Sequence, residues 1–261
     1  MRLPRQREAE VTPLHADAVR ALIDAAAPRF RALYLLAASS GLRQGELFGL
    51  EVDCVDFLRR EVTVRQQLIA PDDGEPYLGE PKTHESYRTV PLTKAVVDAL
   101  AAHLEQFPAD GVKIEDRTDP RKLHHRTARL LFLNQRREVG RRGAWSQVWG
   151  RSRRIANKAL AATYDKAHAA WVRNGRTEGR EPARVEVPDG ASLHGMRHFY
   201  ASLLIKHREN VKTVQKRLGH AKPSITLDTY THLWPDEEDT TRAAVEAVLG
   251  DVPPLCPAKS A

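Results

Sequence analysis

The chain is poor in features that would assign its class at a glance. Two cysteines, Cys54 and Cys256, in 261 residues give neither a disulfide framework nor a Cys-x-x-Cys metal pair. Residues 1–10 are polar and lack the apolar core of a secretory leader. The apolar run Ala32–Ala38 is far short of the roughly 20 residues that span a bilayer. No internal repeat or long low-complexity tract is present. A soluble, reduced, intracellular protein of one or two domains is expected. A chain of this length buries about 70–75% of its unfolded surface, so its core closes without staples.

Charge is what the sequence has in quantity. Lys and Arg number 41 against 34 Asp and Glu, a net +7. Residues 117–180 hold 17 of those cations and 4 of the acids, so this segment carries +13 and the remainder −6. Such an excess suits a polyanion, because each Lys or Arg placed on a phosphate releases a condensed counterion. The alternative is a solvated, partly disordered basic insertion. Charge points to nucleic acid without naming an activity.

Periodicity predicts a mainly α chain with a small antiparallel β-sheet inserted in it, an α+β class. Thr12-Pro13 predicts a helix start, followed at helical spacing by Val19, Leu22, Ile23 and Ala26 as far as Pro28. A second helix through Phe30, Leu33, Leu36 and Ala37 ends near Ser40-Gly41, and a third starts around Arg43 with Leu47 and Leu50. Val62, Val64 and residues 67–69 suggest a strand, Pro71–Gly74 a turn, and residues 75–92 one or two further strands. Thr93 caps a helix through Val96, Val97, Leu100 and Leu104.

Residues 108–192 are the least readable. Leu130–Leu133 reads as a short buried segment, Trp145, Val148 and Trp149 as a helix face, and Lys158–Pro188 as a helix followed by an exposed loop. Ser192 then caps a helix carrying Leu193, Met196, Tyr200, Leu203 and Leu204. Asn210 caps another through Val211, Val214 and Leu218, ended by Gly219. A further helix begins near Pro223, carries Tyr230 and ends at Trp234-Pro235. A last one starts at Asp236–Asp239, with negative charge at its positive end.

Several residues on this scaffold suit the cutting of a phosphodiester by a side chain. That reaction needs a nucleophile, donors for the charge on the non-bridging oxygens, and an acid for the leaving oxygen. Arginine supplies a planar fork that keeps its proton, and tyrosine a phenolate that attacks and later leaves. Arg43 and Glu46 stand three apart on one helix face, which taken alone is an ordinary ion pair. His194 and Arg197 are one turn apart, a spacing that is not a zinc motif. His220 follows a glycine cap and, alone, reads as a C-capping histidine. Tyr230 alone reads as core, as Tyr34 and Tyr200 do.

Order and joint spacing change this. Arg43-x-x-Glu46, His194-x-x-Arg197, Leu218-Gly219-His220 and Tyr230 ten residues later stand in the order of the tyrosine recombinase (phage integrase) family. The chain resembles that family from about Val11 to Gly250. The resemblance implies an integrase-type catalytic domain over residues 12–250, between a short lead (1–11) and a tail (251–261). It implies that Arg43 and Arg197 hold the scissile phosphate, that His220 adds a hydrogen bond to it, and that Glu46 braces the site. His194 would assist proton handling and orientation. Tyr230 would attack, leaving a 3′-phosphotyrosyl link and a free 5′-hydroxyl. Lys82, in a run over 80–92 that matches the family's β-turn lysine, would be the general acid; alone it is an exposed turn lysine.

The same resemblance implies site-specific cutting and rejoining of double-stranded DNA without metal, ATP or cofactor. It further implies an accessory directionality factor and a cytoplasmic, nucleoid-associated setting. The C-terminal helix over 236–250 would dock on a neighbouring protomer in a homotetramer, or else pack on its own domain. Two departures stand out. The domain begins near Thr12, with no room before it for the family's helical core-binding domain, so a fragment or a natural short form acting with a partner is expected. The basic segment 158–188 is longer than the usual connection, and either tracks DNA phosphates or is a solvated loop. Two other activities stay open, a non-catalytic DNA-binding remnant and a type IB topoisomerase-like relaxing enzyme.

Overall fold

Two glycines end the two helices whose carboxyl ends meet at the centre of the molecule. Gly41 closes α2 (Pro28–Ser40) with φ +64°, and Gly219 closes α7 (Val211–Leu218) with φ +64°. Both are left-handed positions that other residues occupy at a cost. Space excludes a side chain as well: a Cβ on Gly41 would lie 2.5 Å from the Tyr200 ring, and one on Gly219 2.9 Å from the Glu85 carbonyl. Both caps are therefore closed to any larger residue by backbone conformation and by space.

The computed structural model describes residues 10–176, 179–234 and Ala247. The chain starts extended, and α1 (Ala16–Ala25) begins three residues later than Thr12-Pro13 predicts. The His15 ring supplies the cap, its Nδ1 accepting from Asp17 N–H at 3.2 Å. Val11 is held outside the helix, its carbonyl 2.9 Å from His232 Nε2. After α2 comes the short α3 (Gln44–Phe48), with Leu50 buried just beyond its end.

The β portion is larger than a single antiparallel sheet, and this corrects the sequence reading. β1 (Val55–Asp56), β2 (Glu61–Val64) and β5 (Arg88–Pro91) form one antiparallel sheet in the order β1-β2-β5. β3 (Gln67–Ile69), β4 (Tyr77–Gly79), β6 (Val112–Arg117) and β7 (His124–Ala128) form a second, in which β4 and β6 run parallel. Residues 62–69, read as one strand, thus contribute to both sheets. The break falls at Arg65-Gln66, where the buried Gln66 amide leaves the strand line to donate to Gly49 O and Glu51 at 2.8 and 2.9 Å.

α4 (Lys94–Gln106) packs on α2, which in turn packs on α6 (Leu193–Lys206). Ser192 caps α6, its hydroxyl accepting from His194 N–H, and Asn210 caps α7 by accepting from Thr213 N–H. α5 (Arg142–Arg173) is the longest element at 32 residues, so the first half of the basic segment 158–188 is helix and the second half is the returning chain. α8 (Pro223–Tyr230) ends at the tyrosine, and a single 3₁₀ turn over Thr231–Leu233 follows. The helix expected from Asp236 onward lies outside the described residues. The core is continuous from Leu22 and Leu33 through Leu100 and Phe132 to Met196 and Val214. Among the described residues no helix is long and apolar enough to cross a membrane.

Candidate active site

Two arginines enter one space, and each is held by the carboxyl end of a helix other than its own. Arg197, in the second turn of α6, donates from Nη1 to Gly41 O at 2.6 Å and from Nη2 to Leu218 O at 2.7 Å. These carbonyls close α2 and α7, where the helix dipole concentrates negative partial charge. Arg197 is 2% exposed, and among the described residues it makes no carboxylate ion pair. Burial first, then the charge of Arg43, pushes its guanidinium down to about 9, so it stays protonated at neutral pH. Two of its five N–H donors are used, which leaves three for a ligand.

Arg43 mirrors this arrangement. It precedes α3, and its Nη2 donates to Gly219 O at 3.0 Å while Nη1 donates to Glu46 Oε1 at 2.8 Å and Ser86 Oγ at 3.0 Å. Glu46 also accepts from Arg43 N–H at 2.8 Å, tying the first turn of α3 to its own start. Behind it, Arg88 grips Glu46 with both η nitrogens, at 3.1 and 2.8 Å, and donates from Nε to Arg217 O at 2.8 Å. Burial pushes the Glu46 carboxyl up, but Arg88 and Arg43 outweigh it and hold the group below the usual carboxylate range. Glu46 thus bonds Arg43 and also a second arginine, Arg88, that sequence reasoning missed. Arg88 sits in a run legible only as the end of a strand.

Tyr230 is 1% exposed at the end of α8. Its hydroxyl lies 2.8 Å from His198 Nδ1, and the His198 ring stands edge-on to that of His194, centroids 4.6 Å apart. Burial pushes the Tyr230 phenol up to about 12, with Arg197 pulling it back. His198 is pushed down to about 4, by burial and then by His194 and Arg197. His194 is lowered by burial and then by Arg197 and Arg43. His220 falls to about 3, again chiefly through burial, and its Nδ1 lies 2.9 Å from Thr226 Oγ1. All three imidazoles are thus neutral at pH 7. With its proton on Nε2, His198 accepts the Tyr230 hydroxyl at Nδ1. The sequence carried one sign of His198: it stands four residues after His194, on the same helix face.

Arg43, Lys82, His194, Arg197, His220 and Tyr230, separated by up to 187 positions in the chain, line one cleft of about 450 Å³ together with His198 and Thr83. Lys82 is exposed, on the bend that leads from β4 toward β5 and so from one sheet to the other. Glu46 is the one expected site residue set behind the cleft wall rather than in it. Arg43 and Arg88 pair with this carboxylate, Arg197 lies near enough to feel its charge, and Lys82 lines the same cleft as Arg43 and Arg197. The arrangement can neutralise a tetrahedral anion and present a phenol to it.

The model of the phage integrase family matches residues 13–237, and the chain belongs to that family. It is 30% identical over 218 residues to a tyrosine recombinase XerC-like protein of Caldanaerobacter subterraneus subsp. tengcongensis, covering 80% of this chain and 47% of that protein. It is 26% identical over 238 residues to prophage integrase IntR of Escherichia coli, covering 89% of this chain and 50% of that protein. The chain spans about half the length of the relatives it matches. The integrase of transposon Tn1549, solved in complex with transposon right-end DNA, shares the fold with a TM-score of 0.68 at 21% identity, over 94% of this chain and 68% of that one.

Proposed function

We propose that this chain is the catalytic domain of a site-specific DNA recombinase that cuts and rejoins strands through a 3′-phosphotyrosyl intermediate. The observation that carries the reading is the surplus of cations in the cleft beside a buried tyrosine whose hydroxyl already bonds to a neutral imidazole. In this reading the free N–H donors of Arg43 and Arg197 take the non-bridging oxygens of a phosphodiester, and His220 adds a third contact. Tyr230 Oη attacks phosphorus as its proton passes to His198 Nδ1, with His194 packed against that ring to keep it in line. The P–O5′ bond breaks, and Lys82 protonates the departing 5′-oxygen. Attack by a 5′-hydroxyl on the phosphotyrosine reverses each step and reseals the strand. The phosphodiester energy stays in the covalent link, so rejoining needs no ATP.

The names of the relatives support the same reading, since they are called recombinases and integrases and one neighbour was solved on DNA. We place assembly into a homotetramer on DNA, and the action of a directionality factor, within this proposal on the strength of the family resemblance. The test mixes the protein with fragmented genomic DNA in EDTA and scores SDS-resistant adducts. Adducts are expected, and Tyr230→Phe is expected to eliminate them while leaving DNA affinity within about twofold. Binding without adducts in the unaltered protein would overturn the catalytic reading in favour of a DNA-binding remnant.

A further inference from the structure

His220 is held by three bonds, and only one of them touches its ring. Its backbone N–H donates to Gln215 O at 3.2 Å, and its carbonyl accepts from Gln215 Nε2 at 3.0 Å. Those two bonds fix the main chain just past the Gly219 cap but leave the ring free to turn. The ring is fixed from α8, its Nδ1 lying 2.9 Å from Thr226 Oγ1. Thr226 is fully buried and, unlike His220, does not line the cleft. It stands four residues before Tyr230, so both project from one face of α8, and both are buried.

The direction of that bond follows from hydrogen counting. Burial and the neighbouring arginines keep the His220 ring neutral, so it carries one proton, on Nδ1 or on Nε2. With the proton on Nδ1, the ring would donate to Thr226. The Thr226 hydroxyl would then be a buried donor with no acceptor, since His220 is its one bonded partner among the described residues. With the proton on Nε2, the hydroxyl donates to Nδ1 and no buried donor is stranded. An unsatisfied buried donor costs more than a hydrogen bond returns, so Thr226 donates and His220 accepts. The Nε2–H, which makes no bond among the described residues, is then the polar group His220 has left for the cleft it lines.

Resting on the recombinase reading, we infer that Thr226 is a positioning residue, whose hydroxyl holds the His220 ring in the Nε2–H form and turns that N–H toward a non-bridging oxygen of the scissile phosphate. The other form would present a lone pair to the anion and repel it. Thr226 and Tyr230 share α8, so the seating of one short helix sets both the nucleophile and a donor to the phosphate it attacks. A displaced α8 would lose both together.

Two measurements test this. Proton–nitrogen correlation spectra of the unaltered chain at neutral pH, with the histidine rings isotope-labelled and His220 assigned by its loss in His220→Ala, should show a protonated Nε2 and a bare Nδ1. Thr226→Val, which keeps the shape and removes the hydroxyl, should mix the two forms. The same variant is expected to slow adduct formation by about tenfold, the low end of the cost of removing a partner that orients a histidine, with affinity for duplex DNA unchanged. Thr226→Ser, which keeps the hydroxyl, should restore both the spectrum and the rate. In a His220→Ala background, Thr226→Val should alter the rate by less than about twofold, because the pair acts as one unit. A protonated Nδ1 in the unaltered chain would overturn the inference, as would an unchanged adduct rate in Thr226→Val. Absence of adducts from the unaltered chain, with Nε2 protonated, would overturn the recombinase reading and leave the hold of Thr226 on the ring standing.

Discussion

Arg197 is buried and Arg126 half-buried, and their surroundings act on them in opposite directions. Arg126, on β7, meets two carboxylates: it reaches Glu51 at 2.6 and 3.0 Å, pairs with Asp116, and also donates to Gln66 at 3.0 Å. These bonds, led by the one to Glu51, raise its affinity for its proton. Arg197 meets two carbonyls and, among the described residues, no paired carboxylate, and its proton is held less tightly. One arginine is satisfied by the protein itself and locks β7 to the chain entering the first sheet. The other is left with charge and donors to spare. A buried cation that bonds dipoles and pairs with no carboxylate among the described residues is a place prepared for an anion from outside.

The contrast should break most sharply under two substitutions. Arg197→Met is expected to cut the rate of adduct formation by on the order of 10²–10³, with a smaller loss of thermal stability than its counterpart. Arg126→Met should do the reverse, because it strands Glu51 and Asp116. A loss of about 2–4 kcal/mol in urea unfolding is expected, with adduct formation per folded molecule unchanged. If both variants lost activity and stability together, the two clusters would not be separable in function.

Acid should reach the cleft before the structural cluster. The imidazoles of His198 and His220 fall from an ordinary 6.5 to about 4 and about 3 in the fold. Below pH 6.5 the unfolded chain therefore binds protons that the folded chain refuses, and stability declines as pH falls toward 4. About 1–2 kcal/mol should go in this window after allowance for solvent screening. His198→Gln/His220→Gln should flatten that part of the curve. Glu46, Glu51 and Asp116 are lowered instead, so their contribution is complete above about pH 4.5 and lost only beneath it.

The smallest effect expected is that of an anion alone. Sulfate at ten times its dissociation constant should stabilise the protein by about 1.4 kcal/mol, read as a rise in Tm against chloride at equal ionic strength. Arg43→Gln should abolish the rise while Arg126→Met leaves it in place.

Much of this was legible in the chain because caps are local. Gly41, Ser192, Asn210 and Gly219 each mark a helix end through their own conformational preference or side-chain oxygen, and the structure keeps all four. β6 and β7 were not legible. His124–Ala128 buries only its last residue, and Val112–Arg117 only Ile114 and Asp116, so neither shows a clean apolar alternation. The Thr12-Pro13 start failed because His15 offers a cap three residues later. Arg88 and His198 were missed for another reason. Their partners, Glu46 and Tyr230, lie 42 and 32 residues away, and nothing local marks either pairing.

The cross-clamping of the two glycine caps has a consequence during synthesis. Arg197 reaches back 156 residues to Gly41, Arg43 reaches forward 176 to Gly219, and Arg88 reaches forward 129 to Arg217. Pairings so distant along the chain close late. A growing chain displays Arg43 and Arg88 early but has nothing to hold them in a shared cleft, and Tyr230 follows only after both caps have been made. The order of the residues works as a safety catch: a half-made molecule has no assembled cleft, so the cutting proposed above would have to wait for the whole chain.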